Sequence, residues 1–417
     1  MKKIRVGIFG VRRGSDLFDS FLANNAEIVA VCDKSEPHLE KAKEKLGDAI
    51  TCYKNFDEFI EHPMDAVLLA NYFHEHTPYA IRCLEKNIHV LSECTSNSTM
   101  AEGVALVRAA EKSKAFYMLC ENYPFMLFNR EMKRIYETGN LGKVLYAEGE
   151  YNHPGDITQS SGKGELYDSI THWRTTVPKT YYITHSLAPL MLATGSMPVR
   201  VTAMPIYCEP EVPNAVTAKM LADNAAAITC LNDDKSVFKV FGHASFGGHE
   251  NSYRICGTKG QTENIRGLID TVSILYNEWD LPEGVTETYT SYKVEPEADV
   301  AEFVKKAGHG GGDFYVIKEF LNCISTNTRT VMDEYFATKL ASVAILGHRS
   351  VMAGGAPFDV PDFRNECDRK KYENDNASPF YYSDGRKPNI PCCSNPDYKP
   401  TKEMVERFKK AIKKPLI

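Results

Sequence analysis

The chain has 417 residues, enough for two or more domains that each bury a core. Its 43% hydrophobic and 25% charged residues are those of a soluble globular protein. A net charge of −6, with no basic stripe interleaved with aromatics, argues against nucleic acid or an anionic membrane surface as the main partner. No apolar run approaches the roughly 20 residues of a membrane span, and Met1-Lys2-Lys3-Ile4-Arg5-Val6 runs into a short strand and a glycine turn without the longer apolar stretch and small-residue cleavage site of a signal peptide. The 12 cysteines are scattered singly apart from Cys392 and Cys393, with no Cys-x-x-Cys pair. That usage predicts reduced thiols, no metal site and a cytoplasmic location.

The first ~120 residues alternate short apolar runs with helical spacing, which predicts βαβ units around a parallel sheet. The strand candidates are Ile4–Phe9, Glu27–Cys32, Ala66–Ala70, Ile88–Leu91 and Ala115–Cys120. Helical spacing fills Ser15–Asn24, Glu36–Leu46, Phe56–Glu61, Pro78–Lys86 and Met100–Ser113. Gly7, Gly10 and Gly14 lie in the turn from the first strand to the first helix, where glycine lets backbone N–H groups approach a pyrophosphate. Their GxxGxxxG spacing is looser than the strict dinucleotide fingerprint. Asp33 ends the second strand, where a carboxylate accepts from adenosine ribose hydroxyls and repels a 2′-phosphate, so NAD is expected over NADP. A helix cap is the alternative role for Asp33. Arg12 and Arg13 either neutralise phosphate or are simply solvated.

A helix over Phe125–Thr138 leads into a second pattern. Lys143–Tyr151, Val199–Cys208, Val216–Leu221, Ala225–Leu231, Ser236–Ala244, Ser252–Gly257 and Thr271–Tyr276 predict a large, mostly antiparallel sheet with one face open. Asp233-Asp234-Lys235 and Gly257-Thr258-Lys259-Gly260 mark turns. Helices over Asp313–Ser325 and Met332–Met352 follow. The Pro-, Asn- and Asp-rich stretch Val360–Pro400 reads as an extended arm wrapped on the surface. The expected architecture is an α/β Rossmann domain over 1–123 joined to an α+β domain over 124–417.

Two Tyr–His pairs stand out downstream, Tyr151-Asn152-His153 and Tyr182-Ile183-Thr184-His185. Tyr151 and His153 are two apart on a strand, so both face one side. Tyr182 and His185 align if their segment is helical, although Pro189 would disturb a helix begun at Thr184. Tyr and His transfer protons near neutral pH, which beside a hydride carrier points to acid–base chemistry on a polyol. Each pair alone reads equally well as satisfied buried polar residues.

The strand Ala66–Ala70 with Asn71 and Tyr72-Phe73-His74-Glu75-His76-Thr77, the strand end Ser92-Glu93-Cys94-Thr95, and Glu121-Asn122 together resemble the Gfo/Idh/MocA oxidoreductase family. That family usually ends its fourth strand Glu-Lys-Pro, the lysine serving as a proton-transfer group. Cys94 stands at the lysine position, and a thiol with a pKa of about 8.5 cannot supply that charge. Within the family the closest branch is its NAD-dependent glycosidases, similar to α-N-acetylgalactosaminidases of glycoside hydrolase family 109. They share Glu121-Asn122, Tyr151-x-His153, Trp173-Arg174-Thr175, Tyr182-x-x-His185 and the run Gly308-His309-Gly310-Gly311-Gly312-Asp313.

The resemblance implies tightly bound, recycled NAD, held by Gly7, Gly10, Arg12, Arg13, Gly14, Asp33, Asn71, His74, His76, Glu93, Cys94, Glu121 and Asn122. It implies Tyr182, His185, His153 and Tyr151 as catalytic groups and Trp173, Arg174, Tyr182 and His309 as substrate contacts. Trp173 reads about equally well as a core residue, and Cys94 as a small filler. The expected activity is glycoside cleavage by transient C3 oxidation, C2 deprotonation, elimination and water addition, needing no flanking carboxylate pair. A net sugar or cyclitol dehydrogenase and a non-catalytic nucleotide sensor are the alternatives. The open sheet face predicts a homo-oligomer, dimer or tetramer.

Overall fold

The computed structural model describes residues 3–154, 169, 171–207 and 223–412. The first half forms six parallel strands: β1 (Ile4–Phe9), β2 (Ala26–Cys32), β3 (Thr51–Tyr53), β4 (Ala66–Leu69), β5 (His89–Ser92) and β6 (Tyr117–Leu119). Their order is β3-β2-β1-β4-β5-β6. The chain winds outward in both directions from β1, so the order reverses between β1 and β4, and ligands bind beyond the carboxyl ends at that point. β4 reads Ala-Val-Leu-Leu with every residue buried, because helices cover both sheet faces. The short β3 carries no apolar run and is absent from the sequence reading.

The second half forms a nine-stranded sheet: β7 (Val144–Asn152), β8 (Pro198–Tyr207), β9 (Asp223–Asn232), β10 (Val237–Ala244), β11 (Glu250–Gly257), β12 (Gly260–Asn264), β13 (Thr271–Tyr276), β14 (Tyr289–Lys293) and β15 (Phe358–Asp359). Its order is β14-β13-β12-β11-β7-β10-β9-β8-β15, and among the described residues only the β7–β10 pair is parallel. The expected stretch Val216–Leu221, and Cys208 at the end of another, lie outside the described residues. Lys235 takes a positive φ in the β9–β10 turn at the Asp233–Lys235 punctuation.

Ala147, Tyr151, Phe238, Val240, Ile228, Tyr253 and Ile255 are buried on one sheet face; of the helices, Thr184–Thr194 packs there on β7, β10 and β11, and Glu334–Met352 packs on β8. Gly149 lets the first of these press onto β7, since a Cβ there would sit 2.0 Å from the Ser186 carbonyl oxygen. On the opposite face Tyr146, Glu148, Lys239 and Arg254 remain accessible within one chain, with Glu148 paired to Arg254 at 3.0 Å.

Two expectations are corrected. The helix Thr184–Thr194 runs through Pro189 without ending. The arm is also more than a surface wrap: Phe380 and Tyr382 are buried, and Ser383 donates its N–H and hydroxyl to Glu75 at 2.6 and 2.9 Å. Among the described residues no helix is long and apolar enough to cross a membrane.

Candidate active site

The turn after β1 is shaped by contacts that only glycine permits. Gly10 has φ of 93°, and a Cβ there would lie 2.3 Å from the Ala70 backbone. At Gly14 it would lie 2.5 Å from Ile8, and at Gly7 2.5 Å from Met64. Asp33 caps the short helix that follows, accepting from the N–H of Val11 at 2.8 Å and of Ser35 at 2.9 Å. Its capping role is therefore present in the fold. The Oδ1 of Asn71 is buried without a hydrogen-bond partner at the end of β4. A tight glycine cradle and an orphaned acceptor beside it fit a dinucleotide. A cleft of about 620 Å³ opens by this turn, lined in part by Arg12, His38, Lys41 and His309.

Three residues expected at the cofactor, Arg13, His74 and His76, bond other groups of the protein. Arg13 does not reach out to solvent: its guanidinium bonds Glu93 at 2.8 Å and both oxygens of Asp313 at 2.9 and 3.2 Å. His74 turns into the arm, where its Nε2 bonds the Tyr381 carbonyl at 2.9 Å and its ring stacks on Phe380 at 4.8 Å. Burial holds its pKa down to about 3, so it stays neutral. His76 bonds the Thr95 carbonyl at 2.9 Å and is likewise lowered by burial, to about 4.

Beyond β5 and β6 the two halves of the chain meet at Glu121. This wholly buried carboxylate contacts the Nδ1 of His185 at 2.8 and 3.0 Å and accepts from the N–H of Tyr123 at 3.1 Å. The thiol of Cys94 donates to it at 2.9 Å. Burial alone would raise the Glu121 pKa, but the charge and hydrogen bonds of His185, with the Cys94 thiol, outweigh it and hold the group below its usual range. A carboxylate on Nδ1 fixes the imidazole tautomer and leaves Nε2 for chemistry.

Burial, then the charges of Glu121 and Glu93, push the Cys94 thiol well above its ordinary range. It stays protonated, a donor rather than a filler. The Cys94–Thr95 peptide is cis.

Three phenols box the His185 ring. Tyr123 stacks on it at 4.1 Å, and Tyr151 and Tyr182 meet it edge-on at 4.7 and 5.2 Å. Burial raises the pKa of each phenol, so all three keep their protons at neutral pH. Tyr151 also stacks on His153 at 5.5 Å, so the two Tyr–His pairs form one cluster.

Tyr182 continues into an aromatic stack through Phe73 at 5.4 Å, which lies on Trp173 at 4.9 Å. Trp173 is buried, with the Arg174 guanidinium 4.3 Å from its ring centre, so its ring is part of a wall and not an open platform for a sugar. Arg174 is the more accessible of the two. His309 sits 5.8 Å from Tyr123 and bonds Asp313 at 3.1 Å.

The sequence reading missed Tyr123, Tyr253, His243 and Asp313 as parts of this site. Tyr123 directly follows Glu121-Asn122, and that adjacency was its only signal. His243 is turned toward Tyr151 and Tyr182, at 5.4 and 5.2 Å, by an irregularity in the β10–β7 register between Phe241 and Ala244. Such a bulge re-aims a side chain and leaves no mark in local pattern.

Comparison with known proteins agrees with this geometry. Residues 4–120 match the oxidoreductase family with the NAD-binding Rossmann fold, and residues 211–369 match the C-terminal domain of glycosyl hydrolase 109. A glycosyl hydrolase family 109 protein of Saccharopolyspora erythraea is 25% identical over 399 residues, covering 86% of this chain and 83% of its own. A second, from Phocaeicola vulgatus, is 24% identical over 406 residues, covering 86% and 84%. Among solved structures, levoglucosan dehydrogenase in complex with NADH and L-sorbose shares the fold, with a TM-score of 0.69 at 17% identity over 87% of this chain and 100% of that one. NAD is the cofactor of this Rossmann domain. The chain thus joins residues 4–120, which match the NAD-binding domain of the Gfo/Idh/MocA oxidoreductases, to residues 211–369, which match the C-terminal domain of glycosyl hydrolase 109.

Proposed function

We propose that the protein cleaves small glycosides by transient oxidation of the sugar, the cofactor being recycled in place. The observation that carries this reading is the Glu121–His185 pair boxed by Tyr123, Tyr151 and Tyr182, with Cys94 at the position of the dehydrogenase lysine. NAD, when bound, supplies reversible hydride transfer at C3, so that the sugar is a ketone while its C1 bond breaks.

The residues of the chain then handle protons. His185, oriented by Glu121, takes the C3 hydroxyl proton and passes it through the Tyr182 phenol to water, so that its Nε2 is free again to take the C2 proton that the ketone acidifies. Tyr151 and His153 face the leaving group and protonate its oxygen as the C1–O bond breaks. Water then adds across C1 and C2, restoring the C2–H bond. Protonated phenols suit this work because they give a proton to a departing oxygen and take it back from water. Arg174 binds sugar hydroxyls. Sugar binding by the structural relative, which holds L-sorbose, supports a sugar here.

A net dehydrogenase is the second reading, and it rests on that same relative. Purified protein given nitrophenyl glycosides in deuterated water, with no NAD added, separates the two. Release of nitrophenol with deuterium at C2 supports cleavage. NADH accumulating only with added NAD⁺ and free sugar would replace cleavage with net oxidation, and silence in both would leave a non-catalytic binder.

A further inference from the structure

We propose that Arg13, Glu93 and Asp313 form a clasp that retains NAD between turnovers, so that the second domain sets the cofactor's lifetime on the protein. The inference rests on the recycled-cofactor reading above.

The clasp follows from where its members sit. Arg13 lies in the short helix Val11–Gly14 that follows β1, and Glu93 follows β5. The strand order β1-β4-β5 places the end of β4 between them. Neighbouring strands lie about 4.8 Å apart, so the side chain reaches across the carboxyl end of β4, where the order reverses and a dinucleotide lies. At its far end the guanidinium is gripped by both oxygens of Asp313, 300 positions away.

Asp313 is built for this grip. Its carboxylate also takes the Asn122 amide at 2.6 Å and the His309 imidazole at 3.1 Å, and its side chain is only 1% exposed. Burial would raise its pKa, but His309 and Arg13 outweigh that and keep it ionised. Glycine clears the approach on both sides. A Cβ at Gly308 would sit 2.4 Å from the Asp313 carboxylate, and one at Gly312 would sit 2.5 Å from the Asn122 carbonyl oxygen. The start of the second domain's helix Gly312–Thr326 is therefore bound to Arg13 and to Asn122 beyond the end of β6 at once. A bidentate Arg–carboxylate pair is the side-chain contact best able to fix such a junction.

Exchange of bound NAD tests this directly. Holoprotein loaded with radiolabelled NAD⁺ is chased with excess unlabelled NAD⁺, and retained label is followed by rapid filtration. Arg13→Gln and Asp313→Asn are each expected to release label roughly tenfold faster. The double variant should be no faster than the faster single one, because the two groups act as one unit. Arg13→Lys, which keeps the charge and loses the fork, should fall between; it decides the question if Asp313→Asn does not fold.

Unchanged exchange in Arg13→Gln and Arg13→Lys would overturn the clasp. So would multiplying effects in the double variant. A purely structural role would lower the urea midpoint without changing exchange. If the wild type itself exchanges within the mixing time, the recycling reading fails. The clasp is then judged by calorimetric Kd for NAD⁺, which must weaken roughly tenfold in both single variants.

Discussion

The phenol of Tyr253 donates to the carbonyl oxygen of His185 across 2.5 Å, and Pro189 is the reason that oxygen is available. In an α-helix the N–H of residue 189 would bond the carbonyl of residue 185, and proline has no N–H. The helix Thr184–Thr194 survives because β11 supplies the missing donor from outside. His185 is thereby held at both ends, its carbonyl by Tyr253 and its Nδ1 by Glu121.

Tyr253→Phe removes that donor and leaves a buried carbonyl unsatisfied, a cost of about 1–3 kcal/mol. The expected result is a lower urea midpoint together with a lower kcat, since the helix start that carries His185 loosens. Unchanged midpoint and unchanged kcat would show that the bond contributes nothing.

Glu121→Gln tests the charge behind His185. An amide keeps the shape but no longer stabilises an imidazolium, and a drop in kcat of roughly 10²- to 10⁴-fold is expected. Stability gives a second readout. The Glu121 carboxyl is held below its usual 4.5 in the fold, so its contribution is present above pH 4.5 and lost as pH falls through the lower folded value. The variant should therefore lose less stability than the wild type below pH 4.5. A variant with wild-type turnover would remove Glu121 from the site.

How far the site could be read in advance depended on distance along the chain. The parallel sheet was legible because β1, β2, β4, β5 and β6 are short apolar runs separated by helical spacing. The Tyr151–His153 and Tyr182–His185 pairs were legible because each is local. Their union was not: Glu121 and His185 are 64 positions apart, and nothing between them signals the contact. From its place in the sequence Arg13 reads equally as a phosphate neutraliser or a solvated side chain, and only the fold brings Asp313 to claim it. Trp173 reads equally as platform or core, and Phe73, a hundred positions away, decides between them.

Acid should weaken the Rossmann half through two histidines. His74 and His76 are held neutral by burial, with pKa values lowered from 6.5 to about 3 and about 4. The unfolded chain binds these protons below pH 6.5 while the fold does not. Stability therefore falls as pH drops from 6.5 toward the folded values, at full effect by an amount on the order of 5 kcal/mol for His74 and about 3 kcal/mol for His76. Urea midpoints should decline between pH 7 and pH 4.5. His76→Gln should start lower and decline less steeply. A flat wild-type profile over that range would contradict the burial of both rings.

Cys94 gives the sharpest test of what replaced the lysine. A thiol held protonated can only donate to Glu121, so the hydrogen bond matters and not a charge. Cys94→Ser keeps a donor and should retain turnover within about threefold. Cys94→Ala leaves one carboxylate oxygen short of a partner in a buried site and should cost roughly tenfold in kcat. Cys94→Lys would set an ammonium against Glu121 in competition with His185 and should cost more than alanine does. Alkylation offers a check without substrate. Iodoacetamide at pH 8 should modify the exposed Cys367 and leave buried Cys94 intact, because only the thiolate reacts. Alanine matching the wild type, or serine failing as alanine does, would return Cys94 to a space-filling role.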